Sequence, residues 1–484
     1  MQELHQFSPL DEIIPPLYNA FIYAFPCPFA QREKVLSILE NGWSKTLDER
    51  PILAGEVGFD RSRGVRPGSL KLSIPETRQN AKIVVNDLTL PGGTWTDSYE
   101  DLRAQGMPPS KLDGKVLAPL VSGVGSTSKV VTVQVNFIPG GCFLSFCTSH
   151  SFIDASGNTL ILEMWAKHCR ELQNLPKALA SDGSDQPHSE GTHLSLRKEL
   201  SNAEYEHLKH RSDLWHLLGL HAIENLEIVP TATTATDFRH FPAAASPPHT
   251  PSTTTCIFSI GPAVMKKLKQ EAAPDGPEWV SSGDALVALL WRSIMRARFP
   301  PQSLDAAQTA KESIVTVALD GRKLLSSSLP TSYVGNVVFC CMTSLSMGAL
   351  LSSETSLAET ALTIRRNLEA AKKQQVLEDA IRLASSIPNV TSLKIAFKDF
   401  LGADLITTSW IELPFYNIDF GPIFGETGRA EFFRIPKGQF GGICSLQPRQ
   451  TNGVIDVVIL LDVEQMRRLR KDEEFTQYLH FVSE

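Results

Sequence analysis

Two apolar runs in the first half of the chain have the composition of paired strands. KVVTVQVNFI (129–138) and CFLSFCTSH (142–150) are rich in β-branched and aromatic residues and are separated by PGG, which predicts a β-hairpin. The following segment, SGNTLILEMWAKHCREL (156–172), has apolar residues at helical spacing, with Ser156 as its predicted N-cap. His150 is therefore expected where a strand ends and a loop leads into a helix.

The middle of the chain shows neither the helical nor the strand spacing of apolar residues. Residues 178–193 and 229–255 are full of Ser, Thr, Pro and Ala without helical or strand spacing, and a short helical stretch separates them. A chain of 484 residues is also too long for one hydrophobic core. We therefore interpret 1–200 and 256–484 as two domains joined by a crossover at 201–255, with no sequence repeat between them.

Charge and composition narrow the possible partners. The 46 basic and 53 acidic residues give a net charge of −7 without a long basic run, which argues against nucleic-acid binding. The N-terminus has acidic residues and prolines where a signal peptide needs a basic and then an apolar region, and no stretch is apolar enough to span a bilayer. The eight cysteines lie in apolar surroundings without CxxC spacing. These features predict a cytoplasmic monomer that does not bind membranes.

The loop after the second strand contains the strongest chemical candidate. His150 is followed four residues later by Asp154, in SHSFIDAS. A neutral imidazole, with an ordinary pKa of about 6.5, can accept a proton from a hydroxyl at cytosolic pH. A single histidine at a strand end is nevertheless more often structural, and HxxxD also arises by chance. The motif by itself leaves both interpretations open.

Four further segments accompany HxxxD in a fixed order. They are SSGDALVALLWRSIMRAR (281–298), ALDGRKLLSSSLPTSYVGN (318–336), TTSWIELPF (407–415) and YNIDFGPIFG (416–425). Together with HxxxD, they resemble the plant and fungal BAHD family of acyl-CoA-dependent acyltransferases over nearly the whole chain. Plant members read DFGWG, whereas this chain lacks that tryptophan and has its second glycine two residues later. In this motif the chain resembles the fungal branch of the family, which includes the trichothecene 3-O-acetyltransferases.

The resemblance implies both a fold and a reaction. The implied fold is α/β, with two chloramphenicol acetyltransferase-like domains, each a mixed sheet with flanking helices, and a channel between them. Acyl-CoA, in particular acetyl-CoA, is the implied co-substrate, a hydroxyl of a fungal secondary metabolite is the acceptor, and no cofactor is bound permanently. The chain has no GxSxG motif and no cysteine beside an activating partner. We therefore expect direct attack in a ternary complex without an acyl-enzyme.

The resemblance also assigns roles to individual residues. His150 is the implied general base. Asp154 is implied to hold the loop through an ion pair, with proton relay as the alternative. Asp419, the third member of the implied catalytic set, is expected to pair with Arg322, which gives structural support far from the reacting atoms.

Two other positions match channel-lining positions of the family, and two serines are candidates for CoA binding. Thr408 and Trp410 are expected to line the channel and to donate hydrogen bonds to the tetrahedral oxyanion, while the alternative for Trp410 is a place in the core. Ser281 and Ser282 are expected near CoA, or else cap the helix that follows them.

Other interpretations remain open from the sequence. The histidines of HLKHRSDLWHLLGLH (207–221) lack HExxH and a convergent spacing, so no metal site is predicted. A carrier-protein-dependent condensation domain shares the fold and an HHxxxDG motif, but Ser149 and Ala155 replace two residues of that motif. A non-catalytic binding protein of the same fold is the other alternative.

Overall fold

The computed structural model describes residues 7–484 except for several short stretches and two longer ones. The residues outside the description are 16, 77–80, 94, 119–126, 176–195, 198–199, 223–251, 302–303, 326–328, 398, 400–401 and 438–442. The polar segment at 178–193 and most of that at 229–255 lie outside the described residues.

The first half of the chain contains seven described strands and five α-helices. The strands are β1 (Tyr18–Pro26), β2 (Glu56–Phe59), β3 (Leu70–Ser73), β4 (Val84–Asp87), β5 (Thr127–Lys129), β6 (Val131–Ile138) and β7 (Gly141–Ser149). The helices are α1 (Pro9–Ile13), α2 (Arg32–Glu49), α3 (Tyr99–Ala104), α4 (Gly114–Leu117) and α5 (Ala155–Leu172).

Two short helices precede the second half, which is again mixed. They are α6 (Asn202–Leu208) and α7 (Ser212–Leu217). The described strands that follow are β8 (Thr253–Ile260), β9 (Glu312–Asp320), β10 (Val338–Ser346), β11 (Leu405–Ser409), β12 (Phe432–Arg434), β13 (Ile443–Leu446), β14 (Ile455–Asp462) and β15 (His480–Ser483). The helices are α8 (Pro262–Glu271), α9 (Ser282–Arg298), α10 (Ala306–Ala310), α11 (Met347–Leu351), α12 (Leu357–Ala371), α13 (Gln374–Ser386), α14 (Val463–Leu469) and α15 (Glu473–Thr476).

The described strands form two large sheets and one small one. The first has the order β12-β1-β7-β6-β4, the second β10-β9-β11-β13-β14-β8-β15, and the third β3-β2-β5. The two large sheets contain both parallel and antiparallel pairs: β4 runs parallel to β6, and β11 runs parallel to β9 and β13. The predicted α/β class, with mixed sheets and flanking helices, is confirmed.

The hairpin predicted around the opening motif is present. β6 and β7 pair antiparallel from Val131–Thr148 to Ile138–Gly141. The helix after it begins earlier than the sequence suggested, because Asp154 is the N-cap and its carboxylate accepts from the backbone N–H of Gly157 at 2.9 Å. The prediction of Ser156 as the N-cap is therefore wrong.

One segment of the second half completes the first sheet. β12 pairs antiparallel with β1, so a strand from beyond residue 256 forms the edge of the N-terminal sheet. Phe433 on β12 is fully buried against Phe21 of β1 and stacks on Phe415, with ring centroids 5.3 and 4.7 Å apart. The predicted boundary at 256 stays a prediction, but the sheets and cores are not divided along it.

Candidate active site

His150 occupies the turn that follows β7 and is held there by its backbone. Its N–H donates to the carbonyl of Leu17 at 2.7 Å, and its carbonyl accepts from Nδ2 of Asn336 at 2.8 Å. The next apolar residue, Phe152, is 1% exposed and packs edge-on against Phe7. The strand end, the two backbone hydrogen bonds and the packing of Phe152 fix the backbone of His150, and with it the starting point of the imidazole side chain.

Asp154 holds the loop from its other end. The carboxylate is 1% exposed and forms a two-pronged ion pair with Arg322, with both Nη–Oδ distances at 2.8 Å. It also accepts from the backbone N–H of Val337 at 3.0 Å, in addition to capping α5 at Gly157. A buried carboxylate is costly unless its oxygens accept hydrogen bonds. These contacts satisfy Asp154 and join the loop to the second half of the chain.

Arg322 has different acidic partners from the expected one. Its side chain pairs with Asp154 and, at 3.2 Å, with Asp320, and it donates to the backbone carbonyl of Gly335 at 2.6 Å. Burial lowers the pKa of Arg322, but these two carboxylates outweigh burial and the net pKa is raised. The expected pairing of Arg322 with Asp419 is wrong.

Asp419 instead organises its own turn. Its Oδ1 accepts from the backbone N–H of Gly421 at 2.7 Å, and its carbonyl accepts from Arg170 of α5 at 2.6 Å. Gly421 and Gly428 both adopt positive φ, and a Cβ on Gly428 would lie 2.0 Å from Oδ1 of Asp419. The structure therefore places Asp419 in the tight DFG turn, packed against the far end of α5.

The environment of the His150 ring favours its neutral form. The residue is partly exposed, but Nδ1 is buried and has no hydrogen-bond partner among the described residues. Burial lowers the pKa of His150 from its ordinary 6.5, and this effect is opposed mainly by the charge of Asp154. Because a general base must be unprotonated to act, the lowered pKa suits that role.

The two candidate oxyanion donors lie at the end of β11, in different surroundings. Trp410 is 5% exposed and packs edge-on against Phe21 and Phe433, with centroids 5.2 and 5.9 Å away. This position fits the alternative of a core tryptophan. Thr408 is half-buried on the strand, opposite Ser445 of β13, and its expected place in the channel stays a prediction.

Ser281 and Ser282 open α9. Ser281 is the N-cap: its hydroxyl accepts from the N–H of Asp284 at 3.1 Å and donates to that carboxylate at 2.7 Å. Asp284 in turn pairs with Arg365 of α12. The hydroxyl of Ser281 is therefore engaged in capping, which fits the second of the two readings, while contact of either serine with CoA stays a prediction.

The described side chains were searched for two alternative centres, an activated thiol and a metal site. All eight cysteines are free thiols, and burial raises the pKa of Cys147, the nearest to His150 in sequence, to about 12. Within the described ranges no group of three or more His, Cys, Asp or Glu side chains could hold a metal ion. His207, His210 and His216 are exposed on α6, α7 and the turn between them. No described helix is long and apolar enough to cross a membrane.

Comparison with known proteins assigns the chain to a family. The Transferase family model matches residues 221–476, more than half of the chain, and the model for a trichothecene 3-O-acetyltransferase-like N-terminal domain matches 17–169. An eremophilane O-acetyltransferase of Penicillium roqueforti is 38% identical over 99% of this chain and 98% of its own length. The chain belongs to the BAHD family of acyl-CoA-dependent acyltransferases.

Solved structures agree with this BAHD fold. The trichothecene acetyltransferase TRI101 of F. sporotrichioides, complexed with coenzyme A and T-2, superposes with a TM-score of 0.75 at 21% identity and covers all of both chains. Vinorine synthase superposes with a TM-score of 0.59 at 15% identity, covering all of this chain and 95% of its own. The two-domain chloramphenicol acetyltransferase-like architecture is therefore confirmed.

Two residues around the loop that carries His150 were missed by the sequence analysis. Asn336, in the YVGN segment, contacts both His150 and Asp11, and Asp11 is completely buried on α1. The segment SPLDEI carries the signature of a capping box, with Ser8 three residues before Asp11 and Pro9 between them. This signature could have located the helix, but only the fold shows which loop it contacts.

Proposed function

We propose that this acyltransferase moves an acetyl group from acetyl-CoA to a hydroxyl of an eremophilane-type sesquiterpenoid. The proposal for the acceptor rests on identity along the whole chain. Two eremophilane O-acetyltransferases, from Penicillium roqueforti and Penicillium rubens, are each 38% identical over 99% of this chain, compared with 25% for a trichothecene 3-O-acetyltransferase. An eremophilane alcohol is therefore a better candidate than a trichothecene alcohol.

His150 acts as the general base in this proposal. Its ring takes the proton of the acceptor hydroxyl while the hydroxyl oxygen attacks the thioester carbonyl, and the resulting imidazolium returns the proton to the departing thiolate of CoA. The single observation that carries this role is the placement of His150 at a strand end, on a loop that hydrogen bonds fix at both ends; the direction of its pKa, lowered by burial, agrees with the role.

Asp154 supports His150 without exchanging protons with the substrate. Both of its oxygens are occupied by Arg322, Gly157 and Val337. A carboxylate engaged in this way is poorly suited to proton relay, so we assign it the positioning role. Thr408 remains the candidate donor to the oxyanion, while Trp410 is assigned to packing.

Direct transfer in a ternary complex is favoured over an acyl-enzyme. A covalent route needs a thiolate or an activated hydroxyl. Burial raises the pKa of Cys147 to about 12 and that of Cys341 to about 11, which keeps these thiols protonated and poorly nucleophilic.

An acceptor panel tests the proposal. The purified protein is incubated with acetyl-CoA and eremophilane alcohols, with a trichothecene alcohol as the comparison acceptor, and products are identified by mass spectrometry. We expect a product that has gained one acetyl group from at least one eremophilane alcohol, and faster turnover than with the trichothecene. Transfer only to the trichothecene would refute the proposed acceptor class. No transfer to any alcohol would favour the non-catalytic alternative.

A further inference from the structure

The two hydrogen atoms of the Asn336 amide group are both engaged. Nδ2 donates to Oδ1 of Asp11 at 2.8 Å and to the backbone carbonyl of His150 at 2.8 Å. Both partners are acceptors, so the orientation of the amide is unambiguous. The backbone N–H of Asn336 donates to the same Oδ1 of Asp11 at 2.9 Å. Asn336 is thus fixed between a buried carboxylate and the catalytic loop.

This arrangement leaves one acceptor and one ring nitrogen unpaired in two contacting residues. Oδ1 of Asn336 is buried without a hydrogen-bond partner among the described residues, and so is Nδ1 of His150. Because the amide cannot rotate without losing both Nδ2 contacts, the group it has left is an acceptor. The amide oxygen of Asn336 can accept a hydrogen bond from Nδ1 of His150 only if that nitrogen carries a hydrogen.

We propose that Asn336, anchored by Asp11, is a positioning residue that holds His150 and favours the tautomer with its proton on Nδ1. In that tautomer the lone pair is on Nε2, which is then the nitrogen that accepts the proton of the acceptor hydroxyl. This inference rests on the proposed role of His150 as the base. Burial lowers the pKa of the imidazole, the charge of Asp154 is the main opposing influence, and the carbonyl of His150 and the Asn336 side chain raise this pKa further.

The anchor of Asn336 lies on a helix that offers a matched control. Asp11 and Glu12 are adjacent, both almost completely buried on α1, and they serve different partners. Asp11 accepts from Asn336, whereas Glu12 pairs with Arg66 and, at 3.0 Å, with Arg197. Replacing either carboxylate by its amide perturbs the same helix, but only the change at Asp11 reaches Asn336 and His150.

The test combines kinetics with 15N NMR, which reports which ring nitrogen of His150 is protonated. Protein labelled with 15N-histidine is compared for the wild type, Asn336→Ala, Asp11→Asn and Glu12→Gln, with His150→Ala used to assign the His150 signals. We expect a protonated Nδ1 and an unprotonated Nε2 in the wild type and a mixture of tautomers in Asn336→Ala. We also expect kcat of Asn336→Ala to fall about 10- to 100-fold, the effect of a misplaced catalytic group, while KM for acetyl-CoA changes little.

Each outcome decides the matter. A folded Asn336→Ala protein with wild-type kcat and an unchanged tautomer would overturn the inference, as would a wild-type His150 protonated on Nε2. If Asn336→Ala does not fold, Asp11→Asn must lower kcat and shift the tautomer while Glu12→Gln does neither; equal effects of the two would overturn it. Wild-type turnover in His150→Ala would instead show that the proposed role of His150 as the base has failed.

Discussion

At the scale of single residues, the proposed base is the imidazole of His150. Burial lowers the pKa of His150 from 6.5, so the neutral base persists to lower pH than a histidine in water would allow. The activity should therefore be complete above pH 6.5 and should be lost as the pH falls through the lowered pKa. We expect the acid limb of kcat/KM to have its midpoint below 6.5. A midpoint at or above 6.5 would contradict this, provided that tryptophan fluorescence shows the protein still folded.

The ion pair between Asp154 and Arg322 should contribute more to stability than the hydrogen bond of Asp419 within its own turn. Asp154→Asn removes a buried partner of Arg322 and should lower the free energy of unfolding by about 3–5 kcal/mol, together with kcat. Asp419→Asn retains an oxygen that can accept from Gly421, so its cost should stay below about 1 kcal/mol. Urea denaturation of both variants measures the two costs. A larger cost for Asp419→Asn than for Asp154→Asn would contradict this account of the two carboxylates.

At the scale of elements, α5 is seated on the second half of the chain through a glycine. A Cβ on Gly157 would lie 2.1 Å from the backbone carbonyl oxygen of Val334, which cannot move aside cheaply. Gly157→Ala should therefore destabilise the protein by about 1–3 kcal/mol, as overpacking does, and lower kcat because the same turn of α5 is capped by Asp154.

A second glycine in the first turn of a helix is the control for this change. At Gly283 of α9, the nearest atom to an added Cβ is Oγ of Ser281 at 3.6 Å. Gly283→Ala should be neutral or stabilising by up to about 1 kcal/mol, because alanine is the better helix former. Equal destabilisation by the two substitutions, measured by urea denaturation, would show that contact with Val334 is not the cause.

The sequence predicted these elements better than their ends and contacts. Alternation and helical spacing sufficed for the β6–β7 hairpin and for α5, because each depends on residues close in the chain. Asp154 and Ser156 are both good N-cap types, and local pattern could not choose between them. The choice falls on Asp154, whose carboxylate is also held by Arg322 from the other half of the chain.

At the scale of the whole molecule, the core around the first sheet contains residues of both halves. Phe415 and Phe433 pack with Phe21 of β1, and Asp154 pairs with Arg322 across the halves. Neither half can lose its structure without exposing apolar surface of the other. We expect calorimetry to show one cooperative unfolding transition. Two separate transitions, one assigned to each half, would contradict this account.

The family motifs predicted the architecture, but not how distant segments meet. The resemblance placed Arg322 and Asp419 in one pair, whereas the fold brings Arg322 to Asp154 and keeps Asp419 within its own turn. Asn336 was part of a recognised motif, yet its contact with Asp11 joins residues that are 325 positions apart in the chain. Such pairings depend on topology, which local pattern does not encode.

The most direct test of the central claim compares His150→Ala with the wild type. Both are assayed with acetyl-CoA and an alcohol from the panel that the wild type acetylates. The imidazole acts on the acceptor proton, so the variant should remain folded and bind acetyl-CoA with unchanged affinity. Its turnover should fall by about 10²- to 10⁴-fold, the usual contribution of a positioned general base. Turnover equal to that of the wild type would contradict the claim and leave His150 as a structural residue.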